Sequence, residues 1–234
     1  MGVNPIFERL SLLTGEENLE KLSKTSALVF GLGGVGSWAA EALVRSGIGK
    51  IGIIDNDIIC ASNVNRQLEA TSLTINQPKA SALKKRLLEI NPECAVTSWD
   101  EIFCKESADK FGIEKTDYII DAIDSLNHKL DLIEITCAVK VKLFSSMGMA
   151  LKLDPSMIKT GSIWKTELCP LARLVRQGLR KRGFSDDFTV VYSLEQPAKG
   201  NYNRNFGSIV TVTASAGLQL ANLVIRDIIN TTKK

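Results

Sequence analysis

An α/β fold built on a doubly wound, mostly parallel sheet is the architecture this 234-residue sequence predicts. Three observations carry it. Short aliphatic runs alternate with helical patterns between residues 27 and 145, the mark of βαβ units whose crossovers impose parallel pairing. Aromatic residues make up 6% of the chain against 44% apolar, and 17 residues are glycine, which suits aliphatic buried strands joined by tight turns. One apolar run, Ala27 to Phe30, feeds straight into Gly31-Leu32-Gly33-Gly34-Val35-Gly36, a strand–turn–helix junction of Rossmann-like type.

The elements follow in order. Ile6, Leu10, Leu13, Leu19 and Leu22 keep helical spacing, and Gly15 divides residues 4–23 into two short helices. Ala27 to Phe30 is the first strand, Ser37 to Arg45 a helix with Gly47 as its C-terminal cap, and Lys50 to Asp55 the second strand. Gln77 to Ile90 reads as a helix with Pro78 in its first turn and Asn91-Pro92 at its end. Ala95 to Trp99, Tyr118 to Ala122 and Val141 to Ser145 are strands three to five, with a helix over Leu126 to Val139. After Gly148 the pattern changes. Met149 to Leu153, Ile158 to Ser162 and Thr189 to Ser193 read as short strands around a basic helix, Leu168 to Lys181, and a polar loop, Pro197 to Asn205, precedes a last helix. A single domain is expected over 1–234: N-terminal helices at 1–24, a nucleotide-binding core at 25–147 and an elaborated C-terminal third at 148–234.

The net charge of +3 does not by itself predict nucleic-acid binding. None of the five cysteines (Cys60, Cys94, Cys104, Cys137, Cys169) forms a C-x-x-C pair, which argues against structural zinc, and an odd number suggests a reducing, cytoplasmic setting. Residues 1–13 lack the apolar core of a signal peptide. Gly207 to Ile229 is broken by Ser208, Thr211, Gln219, Asn222 and Arg226, so a buried helix is expected and no integral membrane span.

Four blocks carry chemistry. The loop at Gly31, Gly33, Gly34 and Gly36 can hold phosphates on backbone N–H groups and a helix N-terminus. Asp55 ends the next strand, about 20 residues on, where a ribose hydroxyl is held. On these two blocks an NAD(P)-dependent oxidoreductase is the default. The second block continues through Asp57 to Ser62-Asn63-Val64-Asn65-Arg66-Gln67. Two acids and an arginine so close to the ribose-binding strand suit a nucleoside triphosphate, with Arg66 neutralising charge as a phosphate linkage breaks. The third is Lys79 in Gln77-Pro78-Lys79-Ala80. A lysine at the positive end of a helix is disfavoured by the dipole, which makes sense if it reaches a phosphate. The fourth is Ile119-Ile120-Asp121-Ala122-Ile123-Asp124-Ser125. Asp124 is placed to hold Mg²⁺ beside the phosphates, and Asp121 could cap the following helix.

These blocks, in this order over residues 5–145, resemble the ubiquitin-activating-enzyme-like adenylyltransferases, the superfamily of the molybdopterin- and thiamine-pathway activating enzymes. The resemblance implies ATP and Mg²⁺ as cofactors. It assigns Asp55 to the ribose, Asn63, Arg66 and Lys79 to the phosphates and Asp124 to Mg²⁺, with Asp57 and Gln67 completing the motif. Arg9, in Phe7-Glu8-Arg9-Leu10, is similar to an arginine that reaches the neighbouring subunit's nucleotide, which implies a homodimer. Ser145-Ser146-Met147-Gly148, Leu153-Asp154-Pro155, Cys169-Pro170-Leu171-Ala172-Arg173 and Val190-Val191-Tyr192-Ser193 are similar to one branch, the tRNA threonylcarbamoyladenosine dehydratases. That branch implies a tRNA substrate whose modified position-37 adenosine is cyclised through adenylylation of the threonyl carboxylate, with sulfur-transfer proteins among the potential partners.

A tRNA substrate calls for a basic surface. Arg173, Arg176 and Arg180 share a helix face, and Lys181 and Arg182 follow; phosphate contact by this helix is the expectation. Asn201 to Phe206 contains no cysteine, with Tyr202 near the place where some relatives carry one, so a thioester step is not expected and the five cysteines read as core residues. His128, the sole histidine, reads as a helix-surface residue. Three other readings stay open: activation of a small sulfur-carrier protein by C-terminal adenylylation, against which the missing zinc cysteines and the basic helix speak; an NAD(P)-dependent oxidoreductase; and a non-catalytic nucleotide sensor, against which Arg66, Lys79 and Asp124 speak.

Overall fold

The structure, a computed structural model, describes residues 4–198 and 206–230. Its strands are β1 (Ser26–Phe30), β2 (Lys50–Ile54), β3 (Ala95–Trp99), β4 (Tyr118–Asp121), β5 (Lys142–Ser146), β6 (Ile158–Ser162) and β7 (Thr189–Ser193). They form one sheet in the order β3-β2-β1-β4-β5-β7-β6. Every pairing is parallel except β6 with β7. The strand order reverses between β1 and β4, so the loops after these strands diverge and leave a crevice at their C-terminal ends.

The helices are α1 (Glu8–Thr14), α2 (Glu16–Lys24), α3 (Gly36–Arg45), α4 (Lys79–Ile90), α5 (Leu126–Ala138), α6 (Pro170–Lys181) and α7 (Val210–Asn230). One face of the sheet packs against α3, α4 and α7 through Val29, Leu43, Ile53, Leu83, Ile120, Leu220 and Val224. The other packs against α5 and α6 through Phe30, Ile119, Leu132, Ile133, Val175 and Leu179. The central strands are covered on both sides, which is why β1, β2 and β4 read as continuous aliphatic runs rather than as alternating patterns.

Between β1 and β7, strand and helix boundaries fall within two residues of the expected ones, with two exceptions. Met149 to Leu153 is not a strand: it is a turn, with Leu151 in the left-handed region at φ 62°. The stretch after β3, left unassigned from sequence, holds two 3₁₀ turns, Lys105–Phe111 and Ile113–Lys115. There Phe103 and Phe111 pack edge-on against Phe30. Pro78 stands just before α4 as its extended N-cap, not inside the first turn. The last helix, α7, is long and apolar enough to cross a membrane by length and composition. Its Val212, Ala216, Leu220, Ala221 and Val224 are buried in the protein core, and Gly217 lets it approach Val35 and Trp38 at the start of α3.

Candidate nucleotide-binding and active site

The crevice is a cleft of about 980 Å³ lined from β1, β2, β4 and β5. At its floor the glycine loop runs from β1 into α3. Gly31 sits at φ +84°, and a Cβ there would meet the Ala122 carbonyl oxygen at 2.7 Å. A side chain on Gly36 would collide with the Gly31 carbonyl. The loop is therefore folded back on itself and pressed against the end of β4, which leaves its upper surface free for phosphates.

Asp55 is locked to this loop. Its carboxylate accepts the Leu32 N–H at 2.6 Å and the Asp57 N–H at 2.8 Å, with further lone pairs left for a ribose hydroxyl. Asp57 holds the Lys79 ammonium at 2.7 Å. The Lys79 N–H donates to the Asp57 carbonyl at 3.0 Å, and Ile58 bridges Pro78, so these two loops are stitched together. Lys79 is thus a buried cation rather than a solvated one.

The Asn63–Gln67 turn forms the adjoining wall. Arg66 donates to the Ser62 carbonyl at 2.8 Å and to Asn65 Oδ1 at 2.9 Å, and Trp38 Nε1 donates to the Arg66 carbonyl at 3.0 Å. Asn63 Oδ1 accepts the Cys60 N–H at 2.9 Å, leaving its amide N–H groups as donors. Gln67 is buried, and its Oε1 has no hydrogen-bond partner among the described residues. Two cations, the Asn63 amide N–H groups and a side-chain-free backbone cradle form a donor set that fits the phosphates of a nucleoside triphosphate, and the orphaned Gln67 Oε1 is an acceptor open to a ligand hydroxyl or amine.

Asp124 is exposed and lines the cleft beside the loop, where it could hold a phosphate-bound Mg²⁺. Asp121 does not cap α5; Ser125 takes that position. Asp121 is fully buried, bonded to Lys129 Nζ at 2.7 Å, Ser145 Oγ at 2.6 Å and the Ile123 N–H at 3.0 Å. Lys129 also donates to the Ser146 carbonyl at 3.1 Å. This network ties the ends of β4 and β5 together beneath the site. Sequence reading missed Lys129, although a lysine on the inner face of an apolar helix was a usable signal.

Glu69 was missed as well. Among the described residues neither of its buried carboxylate oxygens has a partner of good hydrogen-bond geometry, and burial pushes it up to about 7, opposed by its own backbone N–H, the Lys79 charge and the Ser37 hydroxyl, with the Asp55 charge adding to the rise. Its setting between Leu68 and Ala70 was the available clue. His128 sits half-buried on the surface of α5, where it lines the cleft. Cys60 is exposed rather than a core residue. Tyr202 lies outside the described residues.

The far wall belongs to the C-terminal third. Met147, Gly148, Met149, Leu151 and Lys152 line it with Pro170, Leu171 and Leu174 from α6. Further along α6, two of the five expected RNA-contacting cations are already engaged. Arg176 donates to the Thr166 carbonyl at 3.0 Å and to its hydroxyl, and Arg182 is paired with Asp131 and Glu134 at 2.6 and 2.7 Å. Arg180 lies over the Trp164 ring at 5.4 Å. Arg173 and Lys181 are exposed. Arg9 is exposed on α1 and does not line the cleft of its own chain.

The model of the ThiF family matches residues 7–233. The chain belongs to the ThiF family. Within it, the chain is 42% identical over 191 residues to the tRNA threonylcarbamoyladenosine dehydratase of Bacillus subtilis, covering 82% of this chain and 75% of that one. It is 35% identical to the Haemophilus influenzae protein of the same name, covering 94% of this chain and 91% of that one. The crystal structure of Escherichia coli tRNA N6-threonylcarbamoyladenosine dehydratase in complex with ATP superimposes with a TM-score of 0.93 at 31% identity, over 100% of this chain and 99% of that one.

Proposed function

We propose that this chain dehydrates N6-threonylcarbamoyladenosine in tRNA, using ATP to activate the threonyl carboxylate. The observation that supports it best is the two-sided cleft, with a phosphate cradle, Arg66 and Lys79 on the β1–β2 side and an apolar wall from the C-terminal third facing it. The names of the relatives agree with that chemistry.

A carboxylate oxygen of the substrate attacks the α-phosphorus of ATP and pyrophosphate leaves. A carbamoyl nitrogen then attacks the acyl carbon, loses its proton, and AMP departs as the ring closes. Asp55 orients the ribose. Arg66 and Lys79 meet the charge that builds on the phosphates, with Lys79 exchanging its Asp57 partner for a phosphate oxygen. Asn63 and Gln67 supply neutral contacts. Asp124 would hold Mg²⁺, which when bound draws charge from the phosphates. The chain's own contribution is positioning and electrostatic stabilisation.

Three further parts complete the reading. The exposed cations of α6, chiefly Arg173 and Lys181, with Arg180 on Trp164, face the RNA. A homodimer places Arg9 at the neighbour's nucleotide; the exposed Ile6, Leu12 and Leu13 around it are apolar surface of the kind an interface covers. A sulfur-transfer partner would address Cys60, the exposed thiol among the described residues. The setting is the cytoplasm, and one domain carries the whole activity. The test is incubation with ATP, Mg²⁺ and tRNA bearing the linear modification. Loss of one water from the nucleoside, with AMP released, supports the reading; no AMP with any tRNA overturns it.

A further inference from the structure

Among the described residues three lysines are buried at or beneath the cleft, and two of them pair directly with an acid. Lys79 and Lys129 each meet a carboxylate at 2.7 Å. Lys152, 2% exposed, meets the Gly148 carbonyl at 2.7 Å instead. An ammonium carries three donors. Glu195, one of the two groups whose charge it feels, gives its carboxylate to the N–H groups of Leu153 and Asp154. The other is the Cys169 thiol at the start of α6. Burial pushes the Lys152 ammonium below the ordinary lysine range, with Cys169 and Glu195 opposing that shift.

A buried cation without an anion is costly, and such charges are normally paired or coordinated. Here the wall around it is apolar, with Met147, Met149 and Leu171 lining the same cleft. The other cleft-lining cations, Arg66 and Lys79, stand on the β1–β2 side, where phosphates are expected. Lys152 follows β5, two strands across the sheet. Among the described residues that line the cleft, Lys152 is the one lysine or arginine away from the expected phosphate side, and so the one full positive charge there that could meet a substrate carboxylate.

We propose that Lys152 binds the carboxylate of the threonylcarbamoyl group, holding it in the cleft that ATP shares. The inference rests on the dehydratase reading. Lys152 keeps its proton throughout: the carboxylate oxygen forms the bond to phosphorus, pyrophosphate carries away the electron pair, and the lysine loses its anion once the acyl-adenylate has formed.

The experiment compares binding, without ATP, of tRNA bearing the threonylcarbamoyl group and the same tRNA with plain adenosine. Wild-type protein should prefer the carboxylated tRNA by about tenfold or more, the range of one charge-assisted hydrogen bond. K152M should bind both equally, K152Q should lose most of the preference, and K152R should keep part of it. In turnover, K152M should raise KM for modified tRNA about tenfold or more while KM for ATP changes less than about twofold. K152M should melt no lower than wild type, because it exchanges a buried charge for an apolar chain of similar size; a purely structural lysine would show the opposite. Retained preference in both K152M and K152Q, with wild type turning over, refutes the role of Lys152 alone. A wild type that prefers carboxylated tRNA yet never releases AMP refutes the dehydratase reading and leaves carboxylate binding by Lys152 standing.

Discussion

Replacing Glu69 by glutamine should make the protein more stable above neutral pH and leave it unchanged in acid. Glu69 is 2% exposed, and among the described residues neither carboxylate oxygen has a partner of good hydrogen-bond geometry. Burial is the main reason its folded-state value stands near 7 against an ordinary 4.5. Below pH 4.5 the acid is protonated in both the folded and unfolded chain and contributes nothing to the pH dependence. Between 4.5 and 7 the unfolded chain ionises while the folded chain holds its proton. The unfolded state therefore binds fewer protons, and stability falls as pH rises through this window. Above 7 the loss is complete. At about 1.4 kcal/mol per unit, the ceiling is about 3 kcal/mol, an order-of-magnitude figure for a carboxyl that the Lys79 charge partly offsets. Glutamine has the shape of the protonated acid and does not titrate. The assay is urea unfolding of both proteins from pH 4 to 8. The difference in unfolding free energy should be near zero at the acid end, grow between 4.5 and 7, and level off above. A difference that stays flat across that range refutes the assignment, whatever its mean size.

Three further outcomes are expected. Lys79→Met should lower ATP-dependent pyrophosphate release by about a hundredfold or more while leaving the fold intact, since a preorganised cation at a developing phosphate charge contributes on that scale; a coupled pyrophosphate assay beside a thermal melt checks both. Lys129→Met should cost about 3–5 kcal/mol in denaturant unfolding, because it strands the Asp121 carboxylate in a site where both partners are fully buried. The double replacement Asp121→Asn with Lys129→Met should recover much of that loss. Replacing Arg173 and Lys181 together by alanine should weaken tRNA binding and flatten its dependence on salt by up to about two phosphate contacts, whereas Arg182→Ala should act mainly on stability; binding isotherms at several salt concentrations separate the two.

The sheet was legible because parallel strands buried on both faces leave uninterrupted aliphatic runs, and because glycines mark the turn after β1. The nucleotide motif was legible because its residues are consecutive or end a strand. Three kinds of residue were not. Met149–Leu153 is apolar enough to pass for a strand, yet Leu151 takes a left-handed conformation that propensity does not foresee. Arg176 and Arg182 follow the basic stripe of α6, and only tertiary packing reveals Thr166, Asp131 and Glu134 as their partners. Asp121 and Lys129 lie eight positions apart, across a strand–helix turn, where helical spacing gives no reason to pair them. The first miss is a backbone conformation, and the other two are pairings that helical or strand periodicity does not bring together.

The three buried lysines differ mainly in how completely the protein satisfies them, and that difference orders their proposed roles. Lys129 has a fully buried carboxylate, a hydroxyl and a carbonyl. Its charge is closed within the protein, so it can brace β4 against β5 but has nothing to offer a ligand. Lys79 is 6% exposed, but its partner Asp57 is 61% exposed. Water already competes for that carboxylate, so the pair is weakly held and a phosphate oxygen can replace it at small cost. Among the described residues Lys152 has a carbonyl partner and no carboxylate in direct contact. Its burial is a cost that Cys169 and Glu195 only oppose from a distance, and an anionic ligand in direct contact would offset the remainder on binding. A site built this way favours an arriving carboxylate over a neutral analogue of the same shape, because only the charged ligand removes a penalty already present in the empty cleft.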